Sequence, residues 1–352
     1  MIKLSSQLIF RIISVSIFAL VAIQGEKITT AQPDLSQNPV MDTSEVVTVD
    51  KNSSMISRSV AVSPDGKLMV SGDDSGKLKF WSAQTKKLLY TIPGHSNWVQ
   101  SVAISPDSKM IGSGSVDGTI KLWGAKGNLL LTIRNNKPVY SVTFSPDGKL
   151  IVTGDRGGKV KLWSLNGKLL RSIDAHSGNV VSVAVNNQRR IIASRSFGDK
   201  QIKLWNINTG KLIISLDAGA VGGVNSLAIS PDGKLLAGYF IPDSDGNVYS
   251  EGKVRIWRLD TGKILNDFDV NMTRPHAVSF SSNNQTLAVG GFSNSIQIWN
   301  IVTAKKINSL SSPHHTYSLT FSPDGNNLVS AGSPKGSSIL IWSLSRKAQI
   351  KN

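Results

Sequence analysis

The residue types that perform chemistry are sparse in this chain of 352 residues. Cysteine is absent, which excludes disulfide bonds, a thiol nucleophile, cysteine-ligated zinc and iron–sulfur clusters. Histidine occurs only five times, and the chain carries neither a phosphate-binding motif nor a metalloprotease motif. The sequence therefore argues against most common classes of enzyme and predicts a protein without a cofactor.

One acidic run has the chemistry of a cation site. The segment IPDSDGNVYSEG (residues 241–252) contains Asp243, Asp245, Asn247 and Glu251, whose side-chain oxygens suit Ca²⁺. The run lacks the glycine position and the full number of ligands of an EF-hand loop, and Asp-Gly is also ordinary hairpin chemistry. We therefore expect an extended hairpin loop without a metal.

Residues 1–31 have the features of an export signal. Lys3 and Arg11 precede or border the apolar run IISVSIFALVAI (Ile12–Ile23), and a polar stretch with small residues suited to cleavage follows it. The apolar run is shorter than the ~20 residues of a spanning helix, so an uncleaved, membrane-anchored form is the second alternative. We expect an exported protein, periplasmic or secreted, with residues 32–44 as a linker.

The rest of the chain repeats one unit seven times. Seven of the eight tryptophans recur at intervals of 40–52 residues, and each follows an alternating run such as KLKFW or KVKLW that is typical of a strand. These tryptophans are Trp81, Trp123, Trp163, Trp205, Trp257, Trp299 and Trp342.

Each unit contains four strand-like runs, which we name a, b, c and d in chain order. Strands a and b are joined by Ser-Pro-Asp-Gly or a variant of it, a tight turn in which Pro fixes φ and Asp-Gly supplies the corner. Strand c ends at the tryptophan, and strand d is a run such as KKLLYTI. No helical periodicity occurs in these units.

Units of four short strands at this period resemble the WD40-repeat family, whose fold is the β-propeller. The Trp-Asp dipeptide that names the family is missing from every unit, and the Gly-His signature is complete only at Gly94-His95. The resemblance implies an all-β fold, a seven-bladed β-propeller of four-stranded antiparallel blades over residues 45–346, with a tail at 347–352. Only ten residues follow the last tryptophan, so we expect Glu45–Val49 to supply the outer strand of the last blade and close the ring.

The resemblance also implies two buried hydrogen-bonded sets. In that family a His, a Ser, an Asp and a Trp bond to one another within a blade. Ser, His and Asp can also form a catalytic triad, but buried polar side chains normally serve each other and leave no exposed nucleophile. We therefore expect structural roles. The two sets are His95, Ser113, Asp117 and Trp123, and His176, Ser194, Asp199 and Trp205.

The formal net charge is +16, and +14 without residues 1–31, since that segment carries Lys3, Arg11 and Lys27 against Glu26. Ten basic residues hold repeated positions and are spread around the ring, where they cannot form the single stripe of a nucleic-acid site. We expect no nucleic-acid partner; contact with anionic lipid, polysaccharide or an acidic protein is more compatible with an exported chain. The ten are Lys79, Lys121, Lys161, Lys203, Arg255, Lys67, Lys109, Lys149, Arg190 and Lys234.

Near the start of strand a, the residues immediately before and after one repeat position vary from unit to unit. In the second unit Val99 occupies that repeat position. Trp98, the only tryptophan out of register, precedes it, and the equivalents in other units include aromatics and Arg, which anchor protein interfaces. Scattered exposed aromatics are also common without any function. We predict that the face formed by the d–a and b–c loops binds a partner. The predicted partner-binding residues are Trp98, Tyr140, Tyr317, Arg58, Arg274, His276 and His315.

Together these features predict a non-catalytic protein–protein interaction scaffold of the cell envelope, monomeric and bound to a protein partner. One alternative is a surface binder of polysaccharide or anionic lipid. The other is an enzyme that uses the central channel of the propeller, with Asp74, Asp155 and Arg156 as its acid and base groups.

Overall fold

Twenty-eight short strands and no helix make up the described part of the chain, in a computed structural model. None of these residues belongs to a helix long and apolar enough to cross a membrane. All of them fall in the compact unit Asn38–Asn352. The structure describes residues 41–50, 54–186, 188–219, 226–240, 253–272, 274–313, 315–333 and 338–346.

The strands form seven antiparallel sheets of four strands each, which are the blades of the propeller. Strand β1 (Met41–Thr48) belongs to the seventh blade, and every other strand pairs with its neighbours in chain order. Blades one to three contain β2 (Ser57–Val62), β3 (Leu68–Asp73), β4 (Lys77–Ser82), β5 (Leu88–Pro93), β6 (Val99–Ile104), β7 (Met110–Ser115), β8 (Thr119–Gly124), β9 (Leu129–Arg134), β10 (Val139–Phe144), β11 (Leu150–Asp155), β12 (Lys159–Ser164) and β13 (Leu169–Asp174). Blades four to seven contain β14 (Val180–Asn186), β15 (Ile191–Ser196), β16 (Gln201–Asn206), β17 (Leu212–Asp217), β18 (Ala228–Ile229), β19 (Leu235–Phe240), β20 (Lys253–Arg258), β21 (Ile264–Asp269), β22 (Pro275–Phe280), β23 (Thr286–Gly291), β24 (Ser295–Asn300), β25 (Lys306–Ser311), β26 (Thr316–Phe321), β27 (Asn327–Gly332) and β28 (Ile339–Arg346).

The N-terminal strand closes the ring, as the sequence predicts. β1 pairs antiparallel with β28, from Met41 opposite Arg346 to Thr48 opposite Leu340. The strand begins at Met41, earlier than the expected Glu45. Because the first strand of the chain completes the last sheet, the termini of the propeller hold each other in place.

The core consists of seven hydrophobic clusters, each shared by two neighbouring blades. Trp163 of blade three, for example, packs with Ile120 and Leu122 of blade two. Trp81 of blade one packs with Ile341 of blade seven across the closure of the ring. The alternating runs of the sequence produce this arrangement, because one side of each strand is buried against the next blade.

Local hydrogen bonds make the a–b turns. In blade one, Ser63 Oγ donates to Asp65 at 2.5 Å and accepts from the backbone N–H of Leu68 at 2.9 Å. Gly66 has φ +69°, a conformation that glycine adopts without steric cost. The same bonds occur in the turns that begin at Ser105, Ser145, Ser230 and Ser322.

The connections alternate between two ends of the blades, which we call the upper and lower faces. At the upper face a b–c turn meets the connection from d to a, as Val116 N donates to Trp98 O at 3.0 Å. At the lower face an a–b turn meets a c–d turn, as Ala83 N donates to Lys67 O at 2.9 Å. Equivalent bonds recur around the ring, so one repeat position always lies on one face.

Candidate functional site

A cavity of about 490 Å³ opens at the upper face and is lined by residues of all seven blades. Most of its wall comes from the beginning of strand a, and Phe197 and Phe292 add the tips of two b–c turns. The variable position after that of Val99 lines the cavity in six blades; the seventh equivalent, Asn225, lies outside the described residues. The six are Arg58, Gln100, Tyr140, Val181, His276 and Tyr317.

A β-bulge in strand a turns these side chains into the cavity. In blade two Val99 pairs with Ser115 and Ser101 pairs with Gly114, so Gln100 is an extra residue without a partner opposite. An extra residue bends its strand and changes the direction of its side chain. The same register shift therefore explains why one repeated position lines the cavity. In the other five blades the extra residues are Arg58, Tyr140, Val181, His276 and Tyr317.

Serine hydroxyls one residue further along tie the inner strands to one another. Strand a is the inner edge of each sheet. Its N–H groups on the side without a neighbouring strand therefore need partners outside the sheet. Ser59 Oγ accepts from Val102 N at 3.0 Å, and blade two repeats the bond toward blade three. Blade six carries Ala277 instead. The hydroxyl–backbone pairs of the other blades are Ser101–Val142, Ser141–Val183, Ser182–Leu227 and Ser318–Val60.

Aromatic rings and two arginines concentrate on one side of the cavity. The Arg58 guanidinium lies 4.0 Å from the centre of the Trp98 ring, and Trp98 is 43% exposed. A cation held over an indole is worth about 0.5–2 kcal/mol. On the adjoining blades His276 meets Tyr317 edge-on with ring centres 5.1 Å apart, and Arg274 lies over Phe292 at 5.9 Å.

Phe292 joins the remaining rings into one cluster. Its ring centre is 4.9 Å from that of His315, in a stacked arrangement, and 5.5 Å from that of Tyr317. The structure thus brings six of the seven predicted partner-binding residues into a continuous group around Phe292 and Arg58. The seventh, Tyr140, lines the cavity from blade three.

Burial sets the protonation of this cluster. Desolvation lowers the pKa of His276 to about 4, helped by the positive charges of Arg58 and Arg274, so this imidazole is neutral at pH 7. Desolvation also lowers the pKa of Arg58, against the opposing effects of Asp74 and Tyr317. Arg58 Nε and His276 Nδ1 have no hydrogen-bond partner. The site therefore combines arginine charge with the neutral imidazole of His276.

The His, Ser, Asp and Trp of blade two form a chain of hydrogen bonds. Trp123 Nε1 donates to Ser113 Oγ at 2.8 Å, and Ser113 Oγ lies 2.7 Å from His95 Nε2. His95 Nδ1 lies 2.9 Å from Asp117 Oδ2. Since the carboxylate accepts, Nδ1 carries the proton and Nε2 accepts from the serine.

Blade four contains the same chain of bonds. His176 lies 2.8 Å from Ser194 and 2.7 Å from Asp199, and Trp205 donates to Ser194 at 2.8 Å. Burial lowers the pKa of both histidines, with their aspartates opposing. Ser113 and Ser194 are fully buried. Their hydroxyls serve the blade and offer no nucleophile to a substrate.

The acid and base candidates do not converge on the cavity. Asp155 is buried in an ion pair with Lys161 at 3.1 Å, and Asp74 accepts from Ile56 N at 3.2 Å. Neither residue lines the cavity, and nor does Arg156. Among the described residues no group of three or more His, Asp or Glu is placed to hold a metal ion. The acidic run with Asp243, Asp245, Asn247 and Glu251 lies outside the described residues.

The sequence prediction, which considered only the start of strand a, missed two aromatic residues of the site. Phe197 and Phe292 occupy the first position of the b–c turn, where other blades carry Asp74, Val116 or Arg156. Aligning the b–c turns of the seven units in the sequence would have identified these two aromatic residues as exceptions at that position.

Comparison with known proteins places the repeats in one family. The family model for the WD domain, G-beta repeat, matches seven segments that together cover most of the chain. They are residues 45–82, 86–124, 127–164, 167–206, 210–258, 269–300 and 305–343.

Several curated relatives share this similarity over about half of the chain. Small ribosomal subunit protein RACK1y of Oryza sativa subsp. japonica is 31% identical over 182 residues, which are 49% of this chain and 50% of that protein. Small ribosomal subunit protein RACK1 of Caenorhabditis elegans is 33% identical over 178 residues, 48% of this chain and 46% of that protein. Autophagy-related protein 16 of Arabidopsis thaliana is 26% identical over 181 residues, 50% of this chain and 33% of that protein. The match thus spans about half or less of each relative.

Proposed function

This chain belongs to the WD40-repeat family, and on that basis we propose that it is a non-catalytic scaffold of the cell envelope that binds a protein partner in the upper cavity. Propellers of this family generally bind protein partners and generally lack catalysis. The observation that carries the proposal is the concentration of variable aromatic and arginine side chains around one cavity.

The chemistry of the cavity suits an anchored peptide segment. Trp, Tyr and Arg are the residues that most often dominate the binding energy of protein interfaces. Trp98 and Tyr317 offer apolar faces, whereas Arg58 and Arg274 favour an acidic or carbonyl-rich segment. The serine ring beneath holds the inner strands in place, so little order has to be gained on binding.

The envelope location rests on the sequence of residues 1–31. We expect the full chain in the envelope or periplasmic fraction of an expressing bacterium and the chain that starts at Gln32 in the cytoplasm. The measurement is immunoblotting after osmotic shock and membrane separation. Equal cytoplasmic recovery of both forms would remove the envelope from the proposal.

The partner is tested by a pull-down from envelope extract with quantitative mass spectrometry. The variant is the triple substitution Trp98→Ala, Tyr140→Ala and Tyr317→Ala. A matched control removes three exposed aliphatic residues of the lower face, Leu88→Ala, Leu129→Ala and Val302→Ala. Unfolding curves of all baits show whether each remains folded.

We expect one protein to be retained by the native chain and by the control, and to fall about ten-fold or more with the cavity variant. The melting temperature of the cavity variant should stay close to the native value, because these side chains line an open cavity. Equal retention by all three baits would contradict binding in the cavity.

A further inference from the structure

A second β-bulge, in the outer strand d, exposes pairs of aliphatic side chains near the lower face. In blade one Phe80 pairs with Tyr90 and Trp81 pairs with Leu88, so Leu89 is the extra residue. The bulge lets two consecutive residues reach solvent, although an ordinary strand alternates its sides. Five successive blades share this arrangement, and the ten side chains are 40–53% exposed. We call them the aliphatic belt: Leu88–Leu89, Leu129–Leu130, Leu169–Leu170, Leu212–Ile213 and Ile264–Leu265.

The lower turns beside the belt are strongly basic. The described a–b and c–d turns carry thirteen Lys or Arg against six Asp, and all but one of the basic residues are exposed. The aspartates mostly serve their own turns, as Asp107 accepts from Ser105 Oγ and Lys109 N. The basic residues are Lys67, Lys86, Lys87, Lys109, Lys126, Lys149, Lys168, Arg189, Arg190, Lys211, Lys234, Lys263 and Lys305. The aspartates are Asp65, Asp107, Asp147, Asp232, Asp260 and Asp324.

The upper face carries no such excess. Its described turns and connections hold four basic residues, Lys137, Arg156, Lys200 and Arg274, against Asp50, Asp74, Asp117 and Asp199. The repeated basic residues of strand c bond within the propeller, as Lys79 pairs with Asp50 at 2.9 Å and Arg255 with Asp267 at 2.7 Å. The positive charge of the described chain is therefore concentrated on the lower face.

We propose that the lower face docks this protein on an anionic lipid bilayer. The aliphatic belt would lie at the boundary between headgroups and acyl chains, and the turn lysines would meet the lipid phosphates. Val302, in the c–d turn of blade six, is 75% exposed beside Lys305 and extends the apolar surface. Lysine suits such a boundary because its long stem covers apolar surface while its charge stays in water.

The composition of this surface favours lipid over a protein partner. Protein interfaces are rich in Trp, Tyr and Arg and poor in Lys, whereas the belt is aliphatic and its surroundings are mainly Lys. Its apolar side chains are spread as five small pairs around a convex rim. A fluid bilayer accommodates dispersed pairs, and a protein partner needs a continuous complementary patch. The surface is separate from the cavity, so it does not depend on the proposed scaffold function.

Sedimentation with vesicles tests the proposal. The chain from Gln32 retains all 28 strands of the closed ring, and it is mixed with vesicles of phosphatidylcholine alone or with an equal part of phosphatidylglycerol, at about 0.1 M salt. One variant carries Leu89→Gln, Leu130→Gln, Leu170→Gln and Ile213→Gln. A second carries Lys87→Glu, Lys126→Glu, Lys168→Glu and Lys211→Glu. The matched control reverses four exposed upper charges, with Arg134→Glu, Lys137→Glu, Arg156→Glu and Lys200→Glu.

We expect binding to the anionic vesicles only, reduced about ten-fold or more by each lower-face variant and much less by the upper control. Binding should weaken as salt rises. An equal loss with the upper control would show a response to net charge and overturn the proposal. So would failure of the native chain to sediment with anionic vesicles. Light scattering measures the molar mass and so tests whether the belt binds a second copy of this chain instead. A dimer that the Gln variant abolishes would assign the belt to self-association and overturn lipid docking.

Discussion

The upper and lower ends of the blades are built from the same seven repeats, and each uses a β-bulge to expose a side chain. The bulge of strand a aims a residue that differs from blade to blade, such as Arg58, Tyr140 or His276, into one shared cavity. The bulge of strand d presents the same aliphatic type five times. The upper end therefore presents a surface that varies around the ring, and the lower end presents a uniform one, which is the contrast on which the two proposals rest.

The two ends also differ in how they are held together. Upper connections depend on contacts between residues far apart in the chain, as His95 bonds to Ser113 and Asp117. Lower turns also contact one another through backbone bonds, as Ala83 N donates to Lys67 O, but the side-chain bonds of the a–b turns are mainly local, as Ser105 Oγ donates to Asp107 two residues away. A turn that holds itself tolerates exposed charge, whereas the upper ends of blades two and four depend on buried polar networks whose members stabilise one another.

The largest effect is expected from breaking an upper network. His95→Ala removes the imidazole from buried Ser113 and half-buried Asp117, and we expect the free energy of unfolding to fall by about 2–4 kcal/mol. The matched lower-face variant is Asp107→Ala, which removes two local bonds at an exposed turn, at a cost below about 1 kcal/mol. Urea denaturation at pH 7 measures both.

Similar losses for the two variants would contradict the contrast between the ends. Trp123→Phe offers a further check, because it removes only the donor to Ser113 and keeps most of the apolar volume. We expect it to fall between the other two.

The sequence predicts the framework of both ends but not the exposure of the belt. The spacing of the tryptophans predicts seven blades, and the strand-like run Glu45–Val49 before the first unit predicts the closure by the first strand; the structure shows both. A run such as KKLLYTI predicts strand d correctly. The sequence nevertheless does not show that Leu88 and Leu89 are both exposed. In a regular strand consecutive side chains point to opposite sides, and here both reach solvent because of a bulge that the sequence pattern does not reveal.

Blade four shows a second limit of inference from repeats. A β-carbon on Gly72 or Gly114 would lie 2.4 or 2.7 Å from a valine of the next blade, so these two sites have no room for a side chain. Arg195 holds the equivalent position in blade four and is fully buried, with Nε and Nη1 lacking hydrogen-bond partners. Burial lowers its pKa to about 10. In blade five, which packs against blade four, the described strand a is only Ala228–Ile229. A repeat pattern cannot predict how a large side chain in one blade is accommodated by the next blade.

As the pH falls, the upper and lower ends should lose stability at different pH values. His95, His176 and His276 belong to the upper end, and burial lowers the pKa of each. The unfolded chain protonates histidine near pH ~6.5, while folded His276 stays neutral until about pH 4. A lowered folded pKa on a base means that its contribution to stability is complete above the unfolded pKa and is lost as the pH falls through this window.

The lower turns respond at more acidic pH. Hydrogen bonds from Ser63 and Ser105 lower the pKa values of Asp65 and Asp107. A lowered carboxyl pKa contributes stability above the unfolded value of ~3.9, and this contribution is lost only below it. Between pH 7 and pH 5 the lower turns should therefore change little.

We expect the free energy of unfolding to fall by at least about 2 kcal/mol between pH 7 and pH 5, since His276 alone accounts for about 2 kcal/mol and His95 and His176 act in the same direction. His276→Gln should reduce this fall, because glutamine takes up no proton in either state. Asp107→Asn is the matched control and should leave the fall unchanged. Urea titrations at several pH values measure it. If Asp107→Asn reduced the fall and His276→Gln did not, the acid sensitivity would belong to the lower end, which would contradict the buried neutral histidines as its source.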